Sequence, residues 1–189
     1  MPNFFAAFTS DVFRPLATLL IPGALGVSTW FIALLWRYPI LIGLVTRNHT
    51  EAGFVLFLAA VFAGMVYEDF GARWEVQLDR WADHRTDNEH SENWQRYLQT
   101  AFKSDPIGRR YARALVLRLK FELGIAFAML SAALGLTWLG MLGLPCTTVF
   151  AWEFVCLIFT AWGLLEARET HKLLSKTRAA LLGDIRVVK

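Results

Sequence analysis

Four stretches of this chain are nearly free of charge and of membrane-crossing length, and the charges crowd between them. Residues 16–36 and 52–67 hold no charged side chain. Residues 121–144 hold only Glu122, and residues 149–165 only Glu153. An apolar helix of about 20 residues spans the ~30 Å hydrocarbon core, where every backbone polar group must be bonded internally. Helices meet that demand segment by segment. The sequence therefore predicts an all-α polytopic membrane protein: four transmembrane helices, with a cytoplasmic helical hairpin between the second and third. At 56% apolar residues and a mean hydropathy of +0.40, the chain is too oily for a soluble domain of 189 residues.

The expected organisation follows from these runs. Residues 1–15 form an interfacial segment, in which Phe4, Phe5 and Phe8 recur at near-helical spacing. Residues 16–67 carry the first two spans, 68–120 the hairpin, 121–165 the last two spans, and 166–189 a cytoplasmic C-terminal helix capped at Gly183. The first run is too long for a signal-peptide core and contains Pro22-Gly23, so it is expected to be a retained, kinked span. Trp30, Trp36 and Tyr38 mark its far end as an aromatic belt. The second run has only 16 residues, ~24 Å of helix, which sets Glu68 and Asp69 at the membrane edge. Ala60 with Gly64, and Gly124 with Ala128 and Ala132, form small-residue faces suited to close helix contact. Residues 144–148, Leu-Pro-Cys-Thr-Thr, read as a tight turn, with the fourth span starting at Val149.

Charge sets the expected orientation. With four spans and both termini inside, Arg14, ten Lys/Arg of the central segment and six beyond Leu165 are cytoplasmic. Only Arg37 and Arg47 lie outside. Seventeen against two is a strong positive-inside bias. It also explains the pI near 9.1 without nucleic acid as a partner. Cys146 and Cys156 match no metal or haem spacing and read as free thiols.

The central segment carries most of the polar chemistry. Phe70, Trp74, Leu78 and Trp81 form one stripe of a helix continuing past Tyr67. Glu75, Asp79 and Asp83 form an acidic stripe on it, and like charges at i, i+4 want a basic partner. Asp105-Pro106 starts a second helix, which brings Arg109, Arg110, Arg113, Arg118 and Lys120. Folded antiparallel, Asp79 and Asp83 would face Arg109 to Arg113, and Glu75 would lie near Arg118 and Lys120. Between the two helices, Trp94, Tyr97, Leu98, Ala101 and Phe102 make an amphipathic face capped by Ser91.

Three constellations bear on function. Glu68, Asp69 and Glu153 are carboxylates at span ends, which suits a cation path or gate, or ion pairs at the interface. Trp94, Tyr97 and Phe102 with Arg109, Arg110 and Arg113 suit a protein partner or an anionic ligand. His84 and His90 stand among carboxylates, the donor type of a zinc or iron site, but lack HxxxH or HExxH spacing. The sequence contains no phosphate loop, nucleophile elbow, haem or flavin motif, so no cofactor and no enzymatic activity are expected. The favoured expectation is a homo-oligomeric sensor or effector of the bacterial inner membrane. It would rest in lipid and receive a cytoplasmic protein partner or signal through the hairpin, and it would form pores or depolarise the membrane. Membrane-disrupting components of phage defence share this build, an analogy of fold alone. An ion channel or small transporter using Glu68, Asp69 and Glu153, and a membrane-bound metal enzyme, are the alternatives.

Overall fold

The computed structural model describes residues 13–86 and 107–187, with side chains within 17–81 and 111–180. Every regular element among the described residues is a helix. Helix α1 spans Phe13–Arg37, α2 Ile40–Arg47, α3 His49–Thr86, α4 Ile107–Met141 and α5 Cys146–Val187. All but the short α2 are long and apolar enough to cross a membrane. The expected all-helical architecture is therefore present, with four helices of membrane-crossing length and apolarity. Three boundaries differ from expectation. Residues 40–47 form a helix of their own. α5 starts at Cys146, because Pro145 lies just before the helix and its carbonyl accepts the Thr148 and Val149 N–H groups. Gly183 lies inside α5, which runs on to Val187.

Helix α4 is the hub. It packs most extensively on α5 and α1, and also on α3, while α1 packs on α3. Residues Leu119, Leu123, Ala126, Ala128 and Ala132 of α4 are buried. The closest approaches run through small residues. A Cβ on Gly23 would overlap the Ala60 carbonyl and the Gly64 nitrogen, and one on Gly64 would overlap the Leu19 backbone. Backbone therefore touches backbone where α1 crosses α3. Gly124 seats the Pro22 ring of α1, and Gly135 accepts Thr29. The small-residue faces are thus covered within one chain, so they do not speak for contact with a second copy.

A polar node ties three helices together inside this packing. The Trp30 indole N–H of α1 donates to Ser131 of α4, 3.0 Å from its carbonyl oxygen and 3.1 Å from its hydroxyl. The Tyr67 hydroxyl of α3 donates to the same Ser131 Oγ at 2.8 Å. Tyr67 is buried, and its ring tip lies over Gly26. Trp30 is thus an interhelical tie as well as part of an aromatic end, for it also stacks on Trp138 at 5.6 Å.

The α4–α5 turn is closed by chain chemistry. Gly143 has φ +100°, the Leu144 N–H reaches back to the Leu139 carbonyl, and the Gly143 N–H reaches the Gly140 carbonyl. This is a Schellman ending with glycine at its left-handed position. Antiparallel packing of α4 on α5 follows, with Gly163 against Ala126 and Gly140 against Val149.

Gly64→Leu is expected to destabilise the fold by at least the ~1–3 kcal/mol of an overpacked contact, because rigid backbone on α1 must move. Gly53→Leu, where an added Cβ meets nothing within 4 Å, is the control and should leave stability unchanged. Thermal unfolding in detergent micelles distinguishes them. Equal unfolding temperatures would remove the α1–α3 crossing from the determinants of the fold.

Candidate functional site

Helices α3, α4 and α5 have 38, 35 and 42 residues. At 1.5 Å per residue they are about 50–60 Å long, against a hydrocarbon core of ~30 Å. Each therefore carries a polar length beyond its apolar one, and the three polar lengths lie at the same end of the bundle. That charged end has a core of its own. Ala112, Leu115, Leu119 and Leu123 of α4 pack on Ala167 and Leu174 of α5, with Trp74 of α3 and Leu164 against them. Trp74 also meets Trp81 and Phe127 edge-on, and Phe70 packs on Phe127.

Ion pairs ring this core. Lys120 Nζ of α4 lies 2.7 Å from Glu68 Oε1 of α3. Asp69 pairs with Arg73 one turn on, at 2.9 Å. Glu68 and Asp69 thus both have cationic partners. Arg118 does not face Glu75. Its Nε donates to Glu122 Oε1 at 2.6 Å, and its Nη2 reaches Glu166 of α5. The reason is angular: Arg118 and Lys120 are two residues apart, ~200° around the helix, so one faces α5 when the other faces α3.

Beyond Lys120 of α4, the acidic stripe of α3 meets His171 and Arg178 of α5. Asp79 Oδ1 lies 2.7 Å from His171 Nε2, and His171 is 5% exposed. Glu75 is set beside Asp79, with Arg178, His171 and Lys120 supplying positive charge around it. Arg178 and Thr170 are buried as well. Buried charge of this kind is tolerated only when opposed, and here three helices supply the opposition. The cation-rich face was expected from α4 alone, so Glu166, His171 and Arg178 were missed. The signal for His171 and Arg178 was present: residues 167, 170, 171, 174 and 178 form a helical stripe, but two of its five members are cationic or titratable and so read as solvent-facing.

The remaining candidates fall elsewhere. Glu153 accepts a hydrogen bond from Thr137 Oγ1 at 2.7 Å, at the end of the bundle that holds the α4–α5 turn. Measured along α4, Thr137 is 17 residues from Lys120, about 25 Å. Glu153 is therefore not brought together with Glu68 and Asp69. Arg113 takes part in the interactions of the charged end. Trp94, Tyr97, Phe102 and His90 lie outside the described residues. Arg109 and Arg110 lie in α4, and Asp83 and His84 in α3, in stretches whose side chains are not described. Among the described residues, no three His, Cys, Asp or Glu side chains converge as a metal site would require. Cys146 and Cys156 are free thiols, the first exposed and the second buried.

Comparison of the chain with protein-family models, curated proteins and solved structures finds no match.

Lys120→Glu should cost up to about 1 kcal/mol, the scale of a half-exposed pair, and Glu68→Lys in the same chain should restore most of it. His171→Ala strips a buried contact from Asp79 and should cost about 1–3 kcal/mol. Unfolding of the purified variants in one detergent measures both. Stability of His171→Ala equal to wild type would show that the α3–α5 contact does not support the charged end.

Proposed function

We propose that this chain is a sensor or effector of the bacterial inner membrane that works through its charged helical end. One observation carries the reading: α3, α4 and α5 each run unbroken from the apolar bundle into the charged one. A partner or signal that shifts the charged bundle displaces rigid elements that continue into the bilayer. The 38-residue length of α3 and the paired carboxylates along it give such a shift a mechanical route. In this reading the charged end is cytoplasmic, as are both termini, and the segment between α3 and α4 completes a hairpin open to a protein partner. The bias of seventeen basic residues against two supports that orientation. Action as a homo-oligomer that depolarises the membrane belongs to the same proposal, and a role in phage defence rests on likeness of build alone.

The channel reading is the weaker one. Its carboxylates are engaged by Lys120, Arg73 and Thr137, and Glu153 of α5 sits towards the opposite end of the bundle from the other two.

Membrane potential after induced expression tests the proposal. Wild type should depolarise bacteria, and Glu68→Gln/Asp69→Asn should depolarise them equally, since those carboxylates brace the bundle and line no path. Loss of depolarisation in that variant alone would favour a channel. An unchanged potential with every chain would overturn the effector reading. Orientation has its own readout in Cys146, the exposed thiol at the α4–α5 turn. A membrane-impermeant maleimide should label it in intact spheroplasts, and Cys146→Ser should abolish the signal. Labelling only after lysis would invert the topology.

A further inference from the structure

Above the point where α1 crosses α3, the two helices part. The crossing itself is lined by Gly23, Ala60 and Gly64. Towards α2, large side chains take over: Trp30, Phe31 and Leu35 on α1, Val55 and Leu56 on α3. The result is a cavity of ≈ 700 Å³ between α1, α2 and α3, with Trp138 of α4 at its side. That volume lies within the ~300–1,000 Å³ range of small-molecule sites.

Its shape and polarity are those of a slot for one hydrocarbon chain. On α1 the lining runs from Val27 to Leu35, and on α3 from Glu51 to Ala59. Each is nine residues, with about eight rises of ~1.5 Å giving ~12 Å of depth, close to the ~15 Å of one leaflet of hydrocarbon. The walls are apolar throughout this depth. Helix α2 has no buried residue, and its lining members Leu41, Leu44 and Val45 roof the slot. Polar character appears only at the mouth, at Asn48 and Glu51. Among the described residues nothing forms an ion pair with Glu51. Arg47 and His49 flank Asn48 in the same connection.

We propose that this slot holds an acyl chain of a bilayer phospholipid whose headgroup bears a primary ammonium. The chain lies between α1 and α3, and the ammonium meets the Glu51 carboxylate and the Asn48 amide. Charge complementarity selects this lipid: Glu51 is the one charged residue among those lining the slot and matches an ammonium, whereas an anionic glycerol headgroup leaves it unopposed. The proposal requires the four helices to lie in a bilayer and nothing of the sensor reading, and the readout below is independent of membrane potential.

The test is native mass spectrometry of the delipidated full chain in detergent. It is titrated separately with phosphatidylethanolamine, phosphatidylglycerol and oleate. Wild type should bind phosphatidylethanolamine about tenfold more tightly than phosphatidylglycerol, the scale of one charge-assisted contact. Glu51→Gln should bring the two lipids level. Ala59→Trp fills the slot floor and should abolish retention, as should Val55→Trp if the first variant fails to fold. Leu157→Trp, on an exposed face of α5, should bind as wild type does. Equal retention by a folded slot-filled variant and by wild type would overturn the site. Equal affinity of wild type for phosphatidylglycerol or oleate would overturn the headgroup assignment.

Discussion

Burial of apolar side chains drives helices together in water but not in lipid, where tails are as apolar as leucine. The bundle therefore depends on backbone proximity. Where Gly23 and Gly64 let α1 and α3 touch main chain to main chain, each helix gains dispersion contacts that a lipid tail supplies less densely. The same logic sets α1 on α4 through Gly124 and Pro22. The Ser131 node then fixes rotation and height, since Trp30 and Tyr67 reach one hydroxyl only in a narrow range of register. Small residues permit the approach, and the hydrogen bonds specify it.

Length is the second constraint. Three helices nearly twice as long as the hydrocarbon core must leave it, and beyond its edge water restores the hydrophobic effect. The charged end accordingly changes its packing chemistry. Leu115, Leu119 and Leu174 are buried there alongside Ala112 and Ala167, where the apolar part relies on glycine contacts. Ion pairs surround this core and add little energy where they are half exposed. Their larger effect is on geometry, because Asp79 must meet His171 and Lys120 must meet Glu68 for the acidic stripe of α3 to be opposed.

The architecture was legible because its signal is local. A nearly uncharged run of 16 to 24 residues constrains a segment whatever the rest of the chain does. The small-residue faces were legible for the same reason, and so was the continuation of α3 beyond Tyr67. What stayed hidden was the choice of partner. Small faces at Ala60 and at Gly124 fit a second copy as well as another helix of the same chain, and only packing shows that α1 occupies both. The acidic stripe announced a need for cations but not their address. A basic run on α4 was nearest in sequence, while His171 and Arg178 lie about a hundred residues away and arrive through the antiparallel return of α5. The slot was invisible from sequence, for it arises from a change of side-chain size along two helices that sequence alone cannot set side by side.

That change of size links the two ends of the molecule. At the glycine crossing α1 and α3 are in contact, and α4 holds both. Towards the charged end the packing stays closed, because leucines and alanines of α4 and α5 fill it. Towards the opposite end α1 and α3 carry Trp30, Phe31, Val55 and Leu56, and among the described residues no fifth long helix fills the gap; α2 is only eight residues long. The crossing thus acts as a fulcrum with a filled side and an open one. On the proposed function, rocking of α3 about Gly64 by a partner at the charged end would change the width of the slot, and a chain seated there would oppose that motion, each site biasing the other by the same free energy.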